Sequence, residues 1–145
     1  MSLVDPTSKM SKSAKSEKSR ILITDSPEQI RTKIGSALTD SLVGITYEPK
    51  KRPGIANLLE ILSIFDQQQR TAADIAKIYH SVSPKQLKAT VADAVIMGLQ
   101  GIGERYHTLL AADDGFLDRV AQHGATKARK SAEETMELVR SAVGF

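Results

Sequence analysis

The pattern Ser-Pro-x-Gln occurs twice in this chain, as SPEQ at Ser26–Gln29 and as SPKQ at Ser83–Gln86. Each reads as a helix start. The serine hydroxyl accepts from the N–H three residues on, proline is tolerated at the first helical position, and the glutamine reaches back to the serine N–H. Apolar residues at helical spacing follow both. After the first, Ile30, Ile34, Ala37 and Leu38 share one face. After the second, Leu87, Val91, Val95, Leu99, Ile102, Tyr106 and Leu109 advance in steps of three and four, one stripe of a long amphipathic helix. Thr71 offers a further cap before "AADIAKIYHS", and "IANLLEILSIFD" is an apolar segment of helical length.

The remaining stretches fit the same class. Gly98, Gly101 and Gly103 weaken the middle of the long helix, which predicts a kink or a close helix contact there. "GFLDRVAQHG" reads as a short fifth helix. Ala125 to Val143 reads as a sixth, with Ala128, Ala132, Met136, Val139 and Val143 on one face and Gly144 past its end. "RILIT", Arg20 to Thr24, is the one β-branched run, a strand or an extended connector. The expected fold is therefore all-α, a bundle of about six helices after a flexible basic leader and at most one short strand. Residues 1–25 form the leader and connector, and residues 26–145 the helical domain. Met1-Ser2-Leu3 is left out of this reading, as a vector-derived addition before Val4 would be.

Composition agrees and excludes. With 145 residues there is room for one real core. Aromatic residues make up 4 % and tryptophan is absent, so that core must be built from Leu, Ile, Val and Ala. The chain has no cysteine, which removes disulfides, thiolate metal sites and a thiol nucleophile. No apolar run approaches the ~20 residues of a membrane span, and no membrane association is expected. His80, His107 and His123 lack a common ligand spacing and read as surface or helix-end residues, so no metal site is expected. Glu133, Glu134 and Glu137 read as one solvated helix face. Neither GxSxG nor GxxxxGK[ST] occurs.

The net charge of +3 is a property of the leader, because residues 21–145 carry equal numbers of both signs. A nucleic-acid-coating surface over the whole body is not supported. In "SKMSKSAKSEKSR", residues 8–20, Lys9, Lys12, Lys15 and Lys18 recur every third position among five serines. Such composition suits a solvated tail, a modification site, or a loop that grips phosphate through Lys9-Met10-Ser11-Lys12-Ser13. Lysine is a point charge with three donors on a flexible stem, suited to a polyphosphate whose geometry changes as a bond breaks.

The order of motifs resolves the choice by resemblance. "DPTSKMSKS", "ILITDSPEQIRTKIGSALTDS", "GIANLLEIL" and "GATKARKSAEETMELVRSAVGF" resemble, in sequence, the C-terminal part of the tryptophanyl-tRNA synthetases, and KMSKS is a general class I synthetase signature. The likeness covers nearly all of residues 5–145. It implies an enzyme that joins tryptophan to tRNA(Trp) by way of tryptophanyl-adenylate, with ATP as substrate carrying Mg2+. It implies catalytic roles for Lys9 and Lys12 on the leaving pyrophosphate. Met10, Ser11 and Ser13 complete the ATP-binding loop, and the helical domain recognises the tRNA anticodon. It further implies a homodimer for the whole enzyme. The HIGH-like motif, nucleotide-binding fold and tryptophan pocket are expected upstream, so this chain alone is expected to be inactive. "ITDSPEQI" and "ITYEPKKRPG" look more like the mitochondrial branch, placing the enzyme in the matrix, with a bacterial cytoplasm as the alternative.

Two basic clusters stand out beyond the leader. "ATKARK" places Lys127, Arg129 and Lys130 in the first turns of the sixth helix, against the helix dipole, as though awaiting a tRNA phosphate. Lys50-Lys51-Arg52 is a second candidate in a loop. The rival from another class is a non-enzymatic helical adaptor with a modifiable Lys/Ser tail.

Overall fold

The computed structural model describes residues 1–112 and 115–144, and among these there is no strand. Five α-helices follow a short 3-10 turn, Glu17–Ser19: α1 Pro27–Gly35, α2 Pro53–Ile64, α3 Ala72–Ile78, α4 Pro84–Ala111 and α5 Phe116–Val143. Two compact units divide the chain, Met1–Glu104 and Arg105–Phe145, and the division falls inside α4. The all-α class expected from the sequence is the class observed. No helix among the described residues is long and apolar enough to cross a membrane.

Both Ser-Pro-x-Gln starts form. Ser26 Oγ accepts from Gln29 N at 3.2 Å while Gln29 Oε1 accepts from Ser26 N at 2.7 Å, and Pro27 is the first helical residue. Ser83 and Gln86 repeat the exchange at 3.3 and 3.1 Å. Thr71 caps α3 by accepting from Asp74 N. These side chains satisfy N–H groups that a helix start leaves open, which is why the sequence fixes where the elements begin.

The first unit is built around α2. Seven of its residues from Gly54 to Leu62 are buried, as expected of a helix apolar on all sides. Ile30 and Ile34 from α1, Ile75 and Ala76 from α3, and Leu87, Val91 and Val95 from α4 complete one core. Leu3 belongs to it as well, at 1 % exposure. The opening tripeptide, set aside in the sequence reading, is thus a structural part of this unit. Its backbone is tied down too: Leu38 N donates to Leu3 O at 2.8 Å, and Asn57 Nδ2 donates to the carbonyls of Met1 and Ser2.

The helix count differs from the expected six. The segments read as fifth and sixth helices are one helix, α5, running through Gly124. A single glycine costs a helix about 1 kcal/mol and does not end it without a proline or a cap. Leu38 lies beyond α1 and is exposed, whereas Ala37 is buried as expected. The α4 stripe is buried only from Leu87 to Val95; Ile102 and Tyr106 are exposed. "RILIT" is a connector: Asp25 N donates to Leu22 O and Asp25 Oδ2 accepts from Leu22 N, a turn rather than a strand. Lys33 Nζ then reaches both oxygens of Asp25 at 2.7 and 2.6 Å, fixing that connector to α1.

Candidate functional site

The lysine loop hangs from a built base. Ser2 N donates to Ser8 O at 2.8 Å and Leu3 N to Ser19 O at 3.0 Å, so the two ends of residues 8–19 are held against a strap whose Leu3 is in the core. On the entry side, Asp5 Oδ1 accepts from Thr7 N and Thr7 Oγ1, and Asp5 O accepts from Ser8 N and Ser8 Oγ. The hydrogen bonds from Thr7, then Ser8, hold the Asp5 carboxyl below the usual carboxylate range. On the exit side, Arg20 Nη1 donates to Ala14 O at 3.0 Å and to Ser16 O, and Ser19 Oγ donates to Ser16 O at 2.6 Å.

The tip is arranged differently. Met10 turns inward and packs on the core, a hydrophobic anchor in the middle of KMSKS. Ala14 N closes a turn onto Ser11 O, and the Ser11 and Ser13 hydroxyl oxygens stand 3.1 Å apart. Lys9, Lys12, Lys15 and Lys18 are exposed, and among the described residues none has an ion pair or a hydrogen bond. Residues the sequence singled out for phosphate are therefore brought together on one anchored loop with their ammonium groups uncommitted. A solvated tail would need neither the Met10 anchor nor the Arg20 tie.

The other basic clusters fare less well. Arg52 is 2 % exposed, its guanidinium enclosed by Asp40, the Leu42 and Gly44 carbonyls and Thr46 Oγ1, so it holds a loop and cannot meet a ligand. Lys51 pairs with Glu48 at 3.1 Å, which leaves Lys50 from that cluster. Lys127, Arg129 and Lys130 lie well inside α5, which begins at Phe116. The helix start on which their anion-binding geometry rested is not there, because Ala125 continues a helix and does not begin one. No group of three or more potential metal-ligating side chains occurs among the described residues.

One cationic constellation was missed. A cleft of about 500 Å³ in the first unit is lined by Arg31 and Gly35 of α1 and by Lys85, Lys88, Ala89, Ala92 and Asp93 of α4. Gly35, Ala89 and Ala92 are the small residues among these, and they leave room between the charged side chains. Arg31 is paired with Asp93 at 2.7 Å. Lys88 Nζ has the Gly35 carbonyl at 3.3 Å as its contact, and burial pushes its ammonium below the usual lysine range. Lys85 has no partner among the described residues. Three cations face one carboxylate, a surplus suited to an anion. The only sequence signal was Lys85 and Lys88 one turn apart. Arg31 is more than fifty positions away and is joined to them by the fold alone.

Comparison with known proteins places this geometry. Residues 1–100 match the family described as tRNA synthetases class I (W and Y). Along its whole length the chain is 41 % identical to a tryptophan–tRNA ligase of Enterococcus faecalis and 34 % identical to that of Bacillus subtilis, spanning 42 % and 43 % of those proteins. Among solved structures it is similar to the tryptophanyl-tRNA synthetase of Mycoplasma pneumoniae, with a TM-score of 0.78 and 27 % identity, over all of this chain and 45 % of that one. The chain thus spans less than half the length of the relatives it matches, and those named are bacterial. With the anchored KMSKS loop in place within the matched residues, this chain belongs to the class I tRNA synthetases of the tryptophan and tyrosine group.

Proposed function

We propose that the chain supplies two parts of a tryptophan–tRNA ligase: the loop that stabilises pyrophosphate as it leaves ATP, and a helical body that holds the tRNA. The observation that carries the reading is the KMSKS segment itself, fixed at both ends and through Met10, with its two lysines uncommitted. In adenylate formation a tryptophan carboxylate oxygen attacks the α-phosphorus and the bond from that phosphorus to the bridging oxygen breaks. Its electron pair leaves with pyrophosphate. Lys9 and Lys12 then donate to oxygens on which negative charge is growing, and Ser11 adds a hydroxyl donor. Mg2+ carried by ATP would supply further offset of phosphate charge, while the donors from this chain are Lys9, Lys12 and Ser11. The nucleotide-binding fold and tryptophan pocket belong, in this proposal, to the part of the ligase that this chain does not span.

The tRNA is placed on the cleft between α1 and α4, where Lys85, Lys88 and Arg31 offer cations to an RNA phosphate or base edge. The bacterial sources of the relatives favour a bacterial cytoplasm over the mitochondrial matrix of the sequence reading.

The test compares four lysines in the ligase that contains this chain. Replacing Lys12 by Ala slows tryptophan-dependent pyrophosphate exchange by roughly 10²–10³-fold, the loss typical of one preorganised electrostatic contact. Lys9→Ala acts in the same way, while tryptophan binding is unchanged by either. Lys15→Ala and Lys18→Ala have small effects that vanish as salt rises. Equal, small losses at all four positions would return the segment to a merely basic tail.

A further inference from the structure

We propose that Asn57 and Gly54 of α2 are positioning residues of the KMSKS loop, fixing the strap from which Lys9 and Lys12 are presented to the pyrophosphate leaving ATP. The proposal rests on the phosphate role of that loop. Helix α2 is buried from Gly54 to Leu59 and at Leu62, and Asn57 is the one polar side chain among those residues. A carboxamide in so apolar a helix is costly unless its polar atoms are met. Here they are met outside the helix.

Asn57 is 4 % exposed, and its Nδ2 donates to Met1 O and to Ser2 O, both at 3.2 Å. Gly54 lies three residues earlier on the same helix face. A Cβ there would stand 2.1 Å from Leu38 O and 3.2 Å from Thr39 Cα, so α2 seats directly on that backbone. The same backbone donates from Leu38 N to Leu3 O at 2.8 Å. One face of α2 therefore holds the strap twice, at Ser2 through Asn57 and at Leu3 through Leu38.

The strap passes this hold on to the loop. Ser2 gives its N–H to Ser8 O at 2.8 Å and its carbonyl to Asn57; Leu3 gives its N–H to Ser19 O at 3.0 Å and its carbonyl to Leu38. Each strap residue thus binds one end of the loop with its N–H and the helical body with its carbonyl. Lys9 follows Ser8 directly. Truncating Asn57 leaves Ser2 O, the acceptor in a buried bond, without this donor. A buried carbonyl recovers a partner by moving toward water, and this one carries the Ser8 end of the loop with it. Such a shift matters most where Lys9 and Lys12 must meet charge that exists only in the transition state.

The test uses the ligase that contains this chain, each variant being assayed well below its own melting midpoint. Asn57→Ala lowers the maximal rate of tryptophan-dependent pyrophosphate exchange on the order of tenfold, less than Lys12→Ala does, and leaves KM for tryptophan unchanged. Gly54→Ala acts in the same direction. Transfer of tryptophan from preformed adenylate to tRNA, a step that releases no pyrophosphate, keeps its rate in both. In a background with Lys9→Ala and Lys12→Ala, Asn57→Ala costs about twofold or less, because the groups it positions are gone. Should Asn57→Ala fail to fold, Asn57→Ser, a shorter donor, is read in the same assays. Unchanged exchange in the Asn57 variant while Lys12→Ala still slows it, equal slowing of the transfer step, or an undiminished loss in the double-alanine background would each overturn the proposal. If Lys12→Ala itself has no effect, the phosphate role of the loop fails and this proposal falls with it.

Discussion

Arg52 and Asp40 form a forked ion pair in which the guanidinium spends all its donors. Nε lies 3.0 and 3.1 Å from the two carboxylate oxygens and Nη2 lies 2.7 Å from one of them. The remaining N–H groups reach the carbonyls of Leu42 and Gly44 and the Thr46 hydroxyl. The Arg52 side chain is 3 % exposed, so these bonds form away from water and fasten residues 40–46 to the start of α2. Removing it leaves the Leu42 and Gly44 carbonyls without this donor and Asp40 with the Leu42 N–H in place of a guanidinium. Arg52→Ala should destabilise the fold by about 2–4 kcal/mol in urea unfolding, and Arg52→Lys should recover little, because an ammonium cannot fork. Lys51→Ala next to it should cost no more than ~0.5 kcal/mol, as exposed pairs do. Equal effects at the two positions would refute the structural role.

Gly98 and Gly101 lie one turn apart in α4 and should respond to alanine with opposite signs. A Cβ on Gly98 would stand 2.2 Å from Phe65 Cδ1, whereas one on Gly101 would meet nothing within 4 Å. Alanine gains roughly 0.5–1 kcal/mol over glycine inside a helix. Overpacking costs about 1–3 kcal/mol. Gly98→Ala should therefore lower the melting temperature and Gly101→Ala should raise it. A rise at both would mean that Phe65 does not lie against this helix.

Acid stability should report the pair Asp66 and Arg70. Hydrogen bonds from the Arg70 guanidinium, then from the Arg70 backbone N–H, hold the Asp66 carboxyl down at about 2. A depressed carboxylate stabilises the fold above its unfolded value near 4, and that contribution is lost as pH falls toward 2. Urea midpoints of the unmodified chain should therefore drop across this window. Asp66→Asn should start lower at neutral pH and fall less, so the two curves converge in acid. Parallel curves would show that Asp66 does not titrate with the fold.

Sequence revealed the features that local chemistry alone decides. The Ser26 and Ser83 capping boxes and the Thr71 cap were legible because each is closed by residues within one turn. KMSKS was legible because its residues are contiguous. The continuation of α5 through Gly124 was not, since a glycine lowers helix stability without saying whether the helix stops. Leu3 looked dispensable because a lone leucine has no periodicity, and only the fold supplies the pocket it fills. Arg52 read as part of a basic patch for the same reason: its partner Asp40 is twelve residues away, across a loop whose path no local rule gives. The cleft is the extreme case, because Arg31 and Lys88 come from different helices and neither carries a pattern.

That cleft gives the last prediction. Lys88 is a cation held in a partly desolvated place with a backbone carbonyl as its contact, so an incoming RNA phosphate would find it already stripped of some of its water. Lys50, by contrast, is fully solvent-facing on a loop and should interact only through screened charge. In the ligase that contains this chain, Lys88→Ala should weaken tRNA binding about tenfold, or ~1.4 kcal/mol. It should also reduce the steepness of the salt dependence by nearly one charge. Arg31→Ala should do less, since part of its charge is already met by Asp93 at 2.7 Å. Lys50→Ala should change little at moderate salt. Thermal melts guard against trivial unfolding, because Lys88→Ala also removes the bond to Gly35 O. If Lys88 and Lys50 give the same small loss while the Lys9 and Lys12 variants still slow pyrophosphate exchange as expected, the tRNA lies elsewhere on the chain and the role of the loop stands.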